Sequence, residues 1–174
     1  MSLRLAASTL LAVVGLTAAA SASTQTPTSD ALLRGAFQMS GRVTVAANVK
    51  GERVGQVVTR TWTFTPECTT GPCAAVQLVR GRAAGSDTLT LQRTPTGTYT
   101  GAGLFYAALR CSGRIYPRGQ EIPFQITVRI TATNGTTASA ISASYVNRVR
   151  TNLTPCIGVL GHDSAHYVGL LSPG

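Results

Sequence analysis

Two histidines near the carboxyl end have the types and spacing that come closest to a metal or catalytic site. His162 and His166 flank Asp163 and Ser164. On a helix the two imidazoles would share one face, but the glutamate of an HExxH motif is absent. On a strand they would lie about 13 Å apart, too far for one metal ion. The pattern favours ordinary histidines where a loop leads into a strand.

The other nucleophiles and acids offer no stronger arrangement. Ser164 stands beside Asp163, but neighbours on one short segment rarely reach the geometry of a catalytic triad, and no GxSxG motif occurs. Glycoside hydrolysis needs two facing carboxyl groups, and Glu67 and Glu121, each close to a proline, are typical of loop charges. No P-loop, GxGxxG or EF-hand motif is present. The sequence therefore predicts a protein that is not an enzyme, with no catalytic, cofactor or metal site and no cofactor.

The first 22 residues contain the parts of a secretory signal peptide in order. A short positive start is followed by an apolar run over Leu5–Ala20, and Ala20–Ala22 provides the small residues of a cleavage site. A transmembrane anchor is disfavoured because the strongly apolar stretch is too short. We expect a signal peptide over 1–22, a flexible leader over 23–32 and a β domain over 33–174. The product is predicted to be secreted, outside the cell or in its envelope, and not membrane-spanning.

Four cysteines stand in the predicted domain: Cys68, Cys73, Cys111 and Cys156. An even number in an exported chain indicates disulfides, and the absence of a CxxC pair argues against zinc or redox chemistry. Three connectivities are possible. We favour Cys68–Cys73, because the intervening Gly71-Pro72 can reverse the chain. The other pair, Cys111–Cys156, then closes a loop of about 46 residues.

The composition favours a β-rich domain. Of 174 residues, 44% are hydrophobic and only 12% are charged, against about 25% charged in an average soluble domain. This excludes a coiled coil, a bundle of long helices and a charged disordered tail. About 150 residues remain after the predicted cleavage, the size of one domain.

Apolar and polar residues alternate with a period of two through much of the chain. Thr61–Thr65 places Trp62 and Phe64 on one face and threonines on the other, and Phe124–Ala132 repeats the pattern. Turn residues separate such runs, most clearly Asn134-Gly135, which predicts a type I′ hairpin. We predict an all-β domain with two disulfides, a single antiparallel meander of seven or eight strands. Its short connections favour a barrel over a sandwich.

Basic residues suggest a binding face. The net charge is +9, and two arginine pairs have members two positions apart, which on a strand share a face. The pairs are Arg80 with Arg82 and Arg148 with Arg150. Such a face would suit an anionic envelope polymer, lipid headgroups or an acidic protein, and the alternative is a solubilising surface without a partner. Nucleic acid is disfavoured for an exported chain without interleaved aromatic residues.

Aromatic residues allow a different interpretation. Several could line a ligand cup inside a barrel, although such residues more often fill a core. They are Tyr99, Phe105, Tyr106, Tyr116, Tyr145 and Tyr167.

The segment Trp62–Cys68 has the form W-x-F-x-P-x-C and is followed by Cys73. With Gly97–Gly101 and the two later cysteines in matching order, residues 41–160 resemble small exported β domains common in actinobacteria and their relatives. The 14 arginines against one lysine fit a GC-rich source. The resemblance implies a secreted β domain with no established catalytic activity, and it transfers no site residue.

We therefore expect an exported, non-catalytic β domain that acts as a binding module in the envelope or outside the cell. The alternative is a barrel that carries a small apolar ligand or lipid, and a hydrolase is a weaker one. A flat arginine-rich patch without a deep pocket would favour the binding module. An internal cavity of about 300 Å³ or more would favour the carrier.

Overall fold

The computed structural model describes residues 28–82, 85–153, 155–158 and 161–173. The predicted signal peptide and residues 23–27 of the predicted leader lie outside this part of the chain. Within the described residues, no helix is both long and apolar enough to cross a membrane.

Eight antiparallel strands of the described chain close into a barrel in sequence order, and β8 pairs with β1. The prediction of an all-β meander is confirmed, and the barrel is correct rather than the sandwich. A 3₁₀ helix, Thr28–Asp30, precedes the strands. The strands are β1 Gly35–Ala47, β2 Val57–Pro66, β3 Ala75–Gly81, β4 Ser86–Arg93, β5 Tyr99–Cys111, β6 Arg114–Asn134, β7 Thr137–Asn152 and β8 Gly161–Leu171.

The period-two pattern sorts side chains between the barrel interior and the solvent. On β2, Trp62 and Phe64 are buried while the threonines between and beside them are exposed. On β6, Phe124, Ile126 and Val128 are buried in the same alternation. Burying these large side chains against the facing strands stabilises the barrel through the hydrophobic effect.

The two ends of the barrel differ. Because the strands follow one another antiparallel, the β1–β2, β3–β4, β5–β6 and β7–β8 connections share one end, here called the mouth. The other three connections share the opposite end, here called the closed end.

Residues Ala31–Leu33 cover the closed end, and we call them the plug. Ala31 and Leu33 are fully buried, and Leu32 forms a parallel bridge with Thr137 at the β6–β7 turn. Arg93, at the end of β4, donates from Nη2 to the Ser29 carbonyl at 3.0 Å. The described part of the predicted leader therefore contacts the barrel and spans two of its connections.

Both predicted disulfides are confirmed. Cys68–Cys73 lies in the β2–β3 connection at the closed end, with Cα atoms 5.5 Å apart. Cys111–Cys156 joins the β5–β6 hairpin to the β7–β8 connection, with Cα atoms 6.1 Å apart. The second bridge therefore ties two connections together at the mouth.

The Asn134-Gly135 hairpin is present, but its turn type differs from the prediction. Asn134 pairs with Thr137, so the two loop residues are Gly135 and Thr136. Among them only Gly135 has a positive φ, +59°. A type I′ turn needs positive φ at both loop residues, whereas glycine at the first alone matches type II′.

The plug should contribute strongly to stability. We expect Leu33→Ala to lower the free energy of unfolding by about 2–5 kcal/mol, since it empties a buried site at the closed end. The matched control is Leu170→Ala on β8, whose side chain is 67% exposed and should cost about 0.5 kcal/mol or less. Urea unfolding followed by circular dichroism measures both. Equal costs would show that the plug does not close the barrel.

Candidate functional site

The barrel interior changes from apolar to charged toward the mouth. On β3, Val76 and Leu78 are buried inward, and the next inward position is Arg80. On β8, which begins at the mouth, the inward Asp163 comes first and is followed inside the barrel by Ala165 and Tyr167. The same alternation that builds the core therefore places ionised groups inside the open end.

The first charged cluster joins β3 and β4. Arg80 and Asp87 are cross-strand partners, and Arg80 donates from Nε to Oδ1 at 2.9 Å and from Nη2 to Oδ2. The guanidinium also lies 4.1 Å from the ring centre of Phe124 and 5.0 Å from that of Tyr145. A bidentate pair with cation–π contacts compensates for the burial of Arg80, which is 6% exposed.

The second charged cluster joins β7, β8 and the β1–β2 connection. Arg150 donates from Nε to Asp163 at 2.8 Å and from Nη2 to Glu52 at 2.9 Å. Arg150 and Asp163 are both buried. One guanidinium thus binds two carboxylates that come from distant parts of the chain.

Burial raises the pKa of Glu52 above its ordinary value of 4.5. Repulsion from Asp163 adds to this shift, and attraction to Arg150 offsets part of it. The protonated form is therefore favoured over a wider pH range than in water.

A pocket of about 390 Å³ lies between these clusters. We call it the mouth pocket. Its apolar wall is formed by four aromatic side chains and its polar wall by the charged groups at the mouth. The aromatic residues are Trp62, Phe105, Tyr145 and Tyr167, and the charged ones are Glu52, Arg60, Arg80, Arg82, Arg150 and Asp163.

The two tyrosines of the pocket are neutral hydrogen-bonding groups. Burial, with a smaller contribution from Asp163, raises the pKa of Tyr145 well above its ordinary value of 10. Burial also raises the pKa of Tyr167. At neutral pH both phenols keep their protons, so they can donate to a ligand but are poor bases and nucleophiles.

The four arginines of the predicted basic face do not share an exposed surface. Arg80 and Arg82 do lie on one strand face, but that face lines the pocket. Arg148 is exposed while Arg150 is buried. The β7–β8 pairing is irregular between Asn147 and Arg150, which separates the two side chains.

The histidines stand apart from the pocket. His162 and His166 are on the outer face of β8, and His166 Nε2 lies 3.1 Å from Ser142 Oγ. Asp163 between them points inward, and Ser164 Oγ contacts Thr44 Oγ1 at 2.8 Å. The structure therefore does not bring these groups together as a triad.

Glu67 and Glu121 likewise form no catalytic pair with each other. Glu67 follows β2 at the closed end, whereas Glu121 lies on β6 toward the mouth. Glu121 accepts a hydrogen bond from the Tyr106 hydroxyl at 3.3 Å. In the described part of the chain, no group of three or more histidine, cysteine, aspartate or glutamate side chains could bind a metal ion.

The predicted aromatic cup is divided between several places. Phe105, Tyr145 and Tyr167 line the mouth pocket. Tyr99 is fully buried in the core. The Arg118 guanidinium lies over the ring of Tyr106, 4.0 Å from the ring centre.

Two residues important to the pocket were not singled out from the sequence. Arg60 shares the inward alternation of Trp62 and Phe64, a signal that could have identified it. Glu52 lies in a connection without periodicity, so no local pattern indicates its contact with Arg150.

Comparisons with protein-family models, curated proteins and solved structures find no match for this chain. The residues of the mouth pocket are therefore the basis for assigning a function.

Removing Arg150 alone should destabilise the fold. We expect Arg150→Gln to lower the free energy of unfolding by about 3–5 kcal/mol, because it leaves Asp163 and Glu52 at the mouth without their shared cation. Arg148→Gln, two residues away and exposed, should change it by about 0.5 kcal/mol or less. Urea unfolding at neutral pH compares them. A small effect of Arg150→Gln would contradict the assigned ion pairs.

Glu52 should give the protein a distinct pH dependence. Its folded pKa is raised, so the folded state binds this proton more tightly than the unfolded chain. The stability of the wild type relative to Glu52→Gln should therefore fall as pH rises from 4.5 through the folded pKa. Urea unfolding of both proteins from pH 4 to 8 measures this difference. A difference that is constant or rises with pH would contradict the burial of this carboxyl group.

Proposed function

We propose that the protein is an exported, non-catalytic barrel that binds a small amphipathic molecule in the mouth pocket. The observation that carries this proposal is the pocket of about 390 Å³ inside the open end of the barrel. Small-molecule sites begin at about 300 Å³ and combine apolar walls with a few convergent polar groups. The mouth pocket has both features.

The position of the arginines favours the ligand-carrying barrel over a surface-binding module. Arg80 and Arg150 are buried, and Arg82 lines the pocket beside them. A flat basic patch would need these side chains on the outer face of the sheet. Their guanidinium groups line the pocket instead, where they can interact with a bound ligand.

The framework around the pocket supports binding without large rearrangement. A closed barrel has no free edge strands, the plug fills the closed end, and Cys111–Cys156 ties two connections at the mouth. A preformed site lowers the entropy lost when a ligand binds. The two disulfides also fit an oxidising compartment, in agreement with the predicted secretion.

The chemistry of the wall favours binding over catalysis. Among the described residues that line the pocket, the carboxylates Glu52 and Asp163 already bind Arg150. The phenols of Tyr145 and Tyr167 keep their protons at neutral pH. This arrangement lacks the hydrogen-bonded nucleophile and base that covalent catalysis needs.

Filling the pocket should weaken binding. We expect the wild type to bind the neutral probe N-phenyl-1-naphthylamine saturably, and Ala107→Trp to weaken binding at least about 10-fold, because Ala107 lines the pocket. The matched control is Ala102→Trp, which adds the same side chain to an exposed position on β5. Probe fluorescence measures both affinities. Equal effects of the two variants, or no saturable binding by the wild type, would overturn the proposal.

A further inference from the structure

Two arginines of the mouth pocket have no carboxylate of their own. Arg60 donates from Nη1 to the Thr59 carbonyl at 2.7 Å and forms no ion pair with any described residue. Arg82 Nε lies 3.7 Å from Asp87 Oδ2, but Arg80 already binds both oxygens of that carboxylate. The buried Nε of Arg82 donates to no acceptor in the part of the chain that the structure describes.

Arg60 lies on β2, and Arg82 directly follows the neighbouring strand β3. In the register of β2 and β3, Trp62 pairs with Arg80. Arg60 and Arg82 each lie two residues from this pair toward the mouth, and both line the pocket. Like charges that line one pocket repel each other, and partial burial strengthens the repulsion. An anion bound between them would attract both guanidinium groups and offset their mutual repulsion.

The charges around the pocket are unevenly distributed. On the side of β7 and β8, one cation, Arg150, faces the two carboxylates Glu52 and Asp163. On the side of β2 and β3, Arg80 and Arg82 share the single carboxylate of Asp87, and Arg60 forms no ion pair with a described residue. The excess positive charge is thus concentrated where Arg60 and Arg82 lie.

The aromatic wall lies beside this positive side. The Arg82 guanidinium is 4.6 Å from the ring centre of Phe105, and the rings of Trp62 and Tyr167 are 5.1 Å apart. Such surfaces suit a flat, apolar molecule. A volume of about 390 Å³ is near the lower limit of ligand pockets and suits a compact body.

We propose that the ligand of the mouth pocket is a compact organic acid whose carboxylate binds between Arg60 and Arg82, with its apolar body against Trp62, Phe105 and Tyr167. This inference rests on the proposed function and specifies the ligand class. The planar guanidinium presents paired N–H donors that match the two oxygens of a carboxylate, and charge-assisted bonds of this kind are the stronger ones.

The experiment compares 2-naphthoate with its neutral methyl ester by isothermal titration calorimetry at pH 7. The protein is the secreted, disulfide-bonded form. The wild type should bind the acid about 10- to 100-fold more tightly than the ester, since only the acid forms charge-assisted bonds. Added salt should weaken binding of the acid and leave the ester unchanged.

Variants locate the anion. Arg60→Gln and Arg82→Gln should each weaken binding of naphthoate about 10-fold or more and leave the ester within about twofold. Arg148→Gln, an exposed arginine outside the mouth pocket, should change neither affinity. Thermal unfolding checks the fold of each variant, and the comparison of acid with ester in the wild type needs no variant.

The outcomes separate the two proposals. Equal binding of acid and ester would overturn the anion subsite while the binding barrel stands. An effect of Arg148→Gln as large as that of Arg60→Gln would do the same, because it would show a general charge effect. Failure of the neutral probe, the acid and the ester to bind would overturn the proposed function together with this inference.

Discussion

Closure of the sheet is the constraint on which the rest of this structure depends. Once β8 pairs with β1, every strand must alternate between an enclosed interior and the solvent. An eight-stranded barrel has an interior just wide enough to be filled by side chains. Here large apolar residues and the plug fill the closed end, and charged residues at the mouth leave space between them. The pocket follows from this difference between the two ends.

The charged residues at the mouth need mutual compensation because they lie inside the barrel. Asp87 compensates the charge of Arg80, and Arg150 compensates part of the charge of Asp163 and Glu52. Buried ion pairs of this kind rarely stabilise a fold more than apolar packing would, because desolvation offsets much of their attraction. Their presence in place of aliphatic side chains is therefore better explained by a polar, open pocket than by stability. The arginines left without a full partner then define where a negative ligand group would lie.

The sequence predicts the fold well and the site only in part, for physical reasons. The alternation around Trp62 and Phe64 indicates which side chains are buried. The Gly71-Pro72 turn allows Cys68 and Cys73 to approach within disulfide distance, which favours this pairing over the two others. The predicted type of the Asn134-Gly135 turn is wrong, because the pairing of β6 with β7 places Asn134 in the strand rather than in the loop.

The pocket itself was harder to recognise from sequence. Arg80 shares the inward alternation of Val76 and Leu78, so its position could be predicted, but arginine usually indicates a solvent-exposed face. Arg150 could not be assigned in this way, since an irregularity in the β7–β8 pairing breaks the alternation. Its contact with Glu52 joins residues 98 positions apart, which no local pattern reports.

Mapping amide and indole chemical shifts by NMR during titration with 2-naphthoate tests the central claim most directly. Binding in the mouth pocket predicts saturable shifts at Trp62 and Ala107, with none at Leu33 in the plug, whereas shifts confined to the outer face around Arg148 and His162 would contradict it.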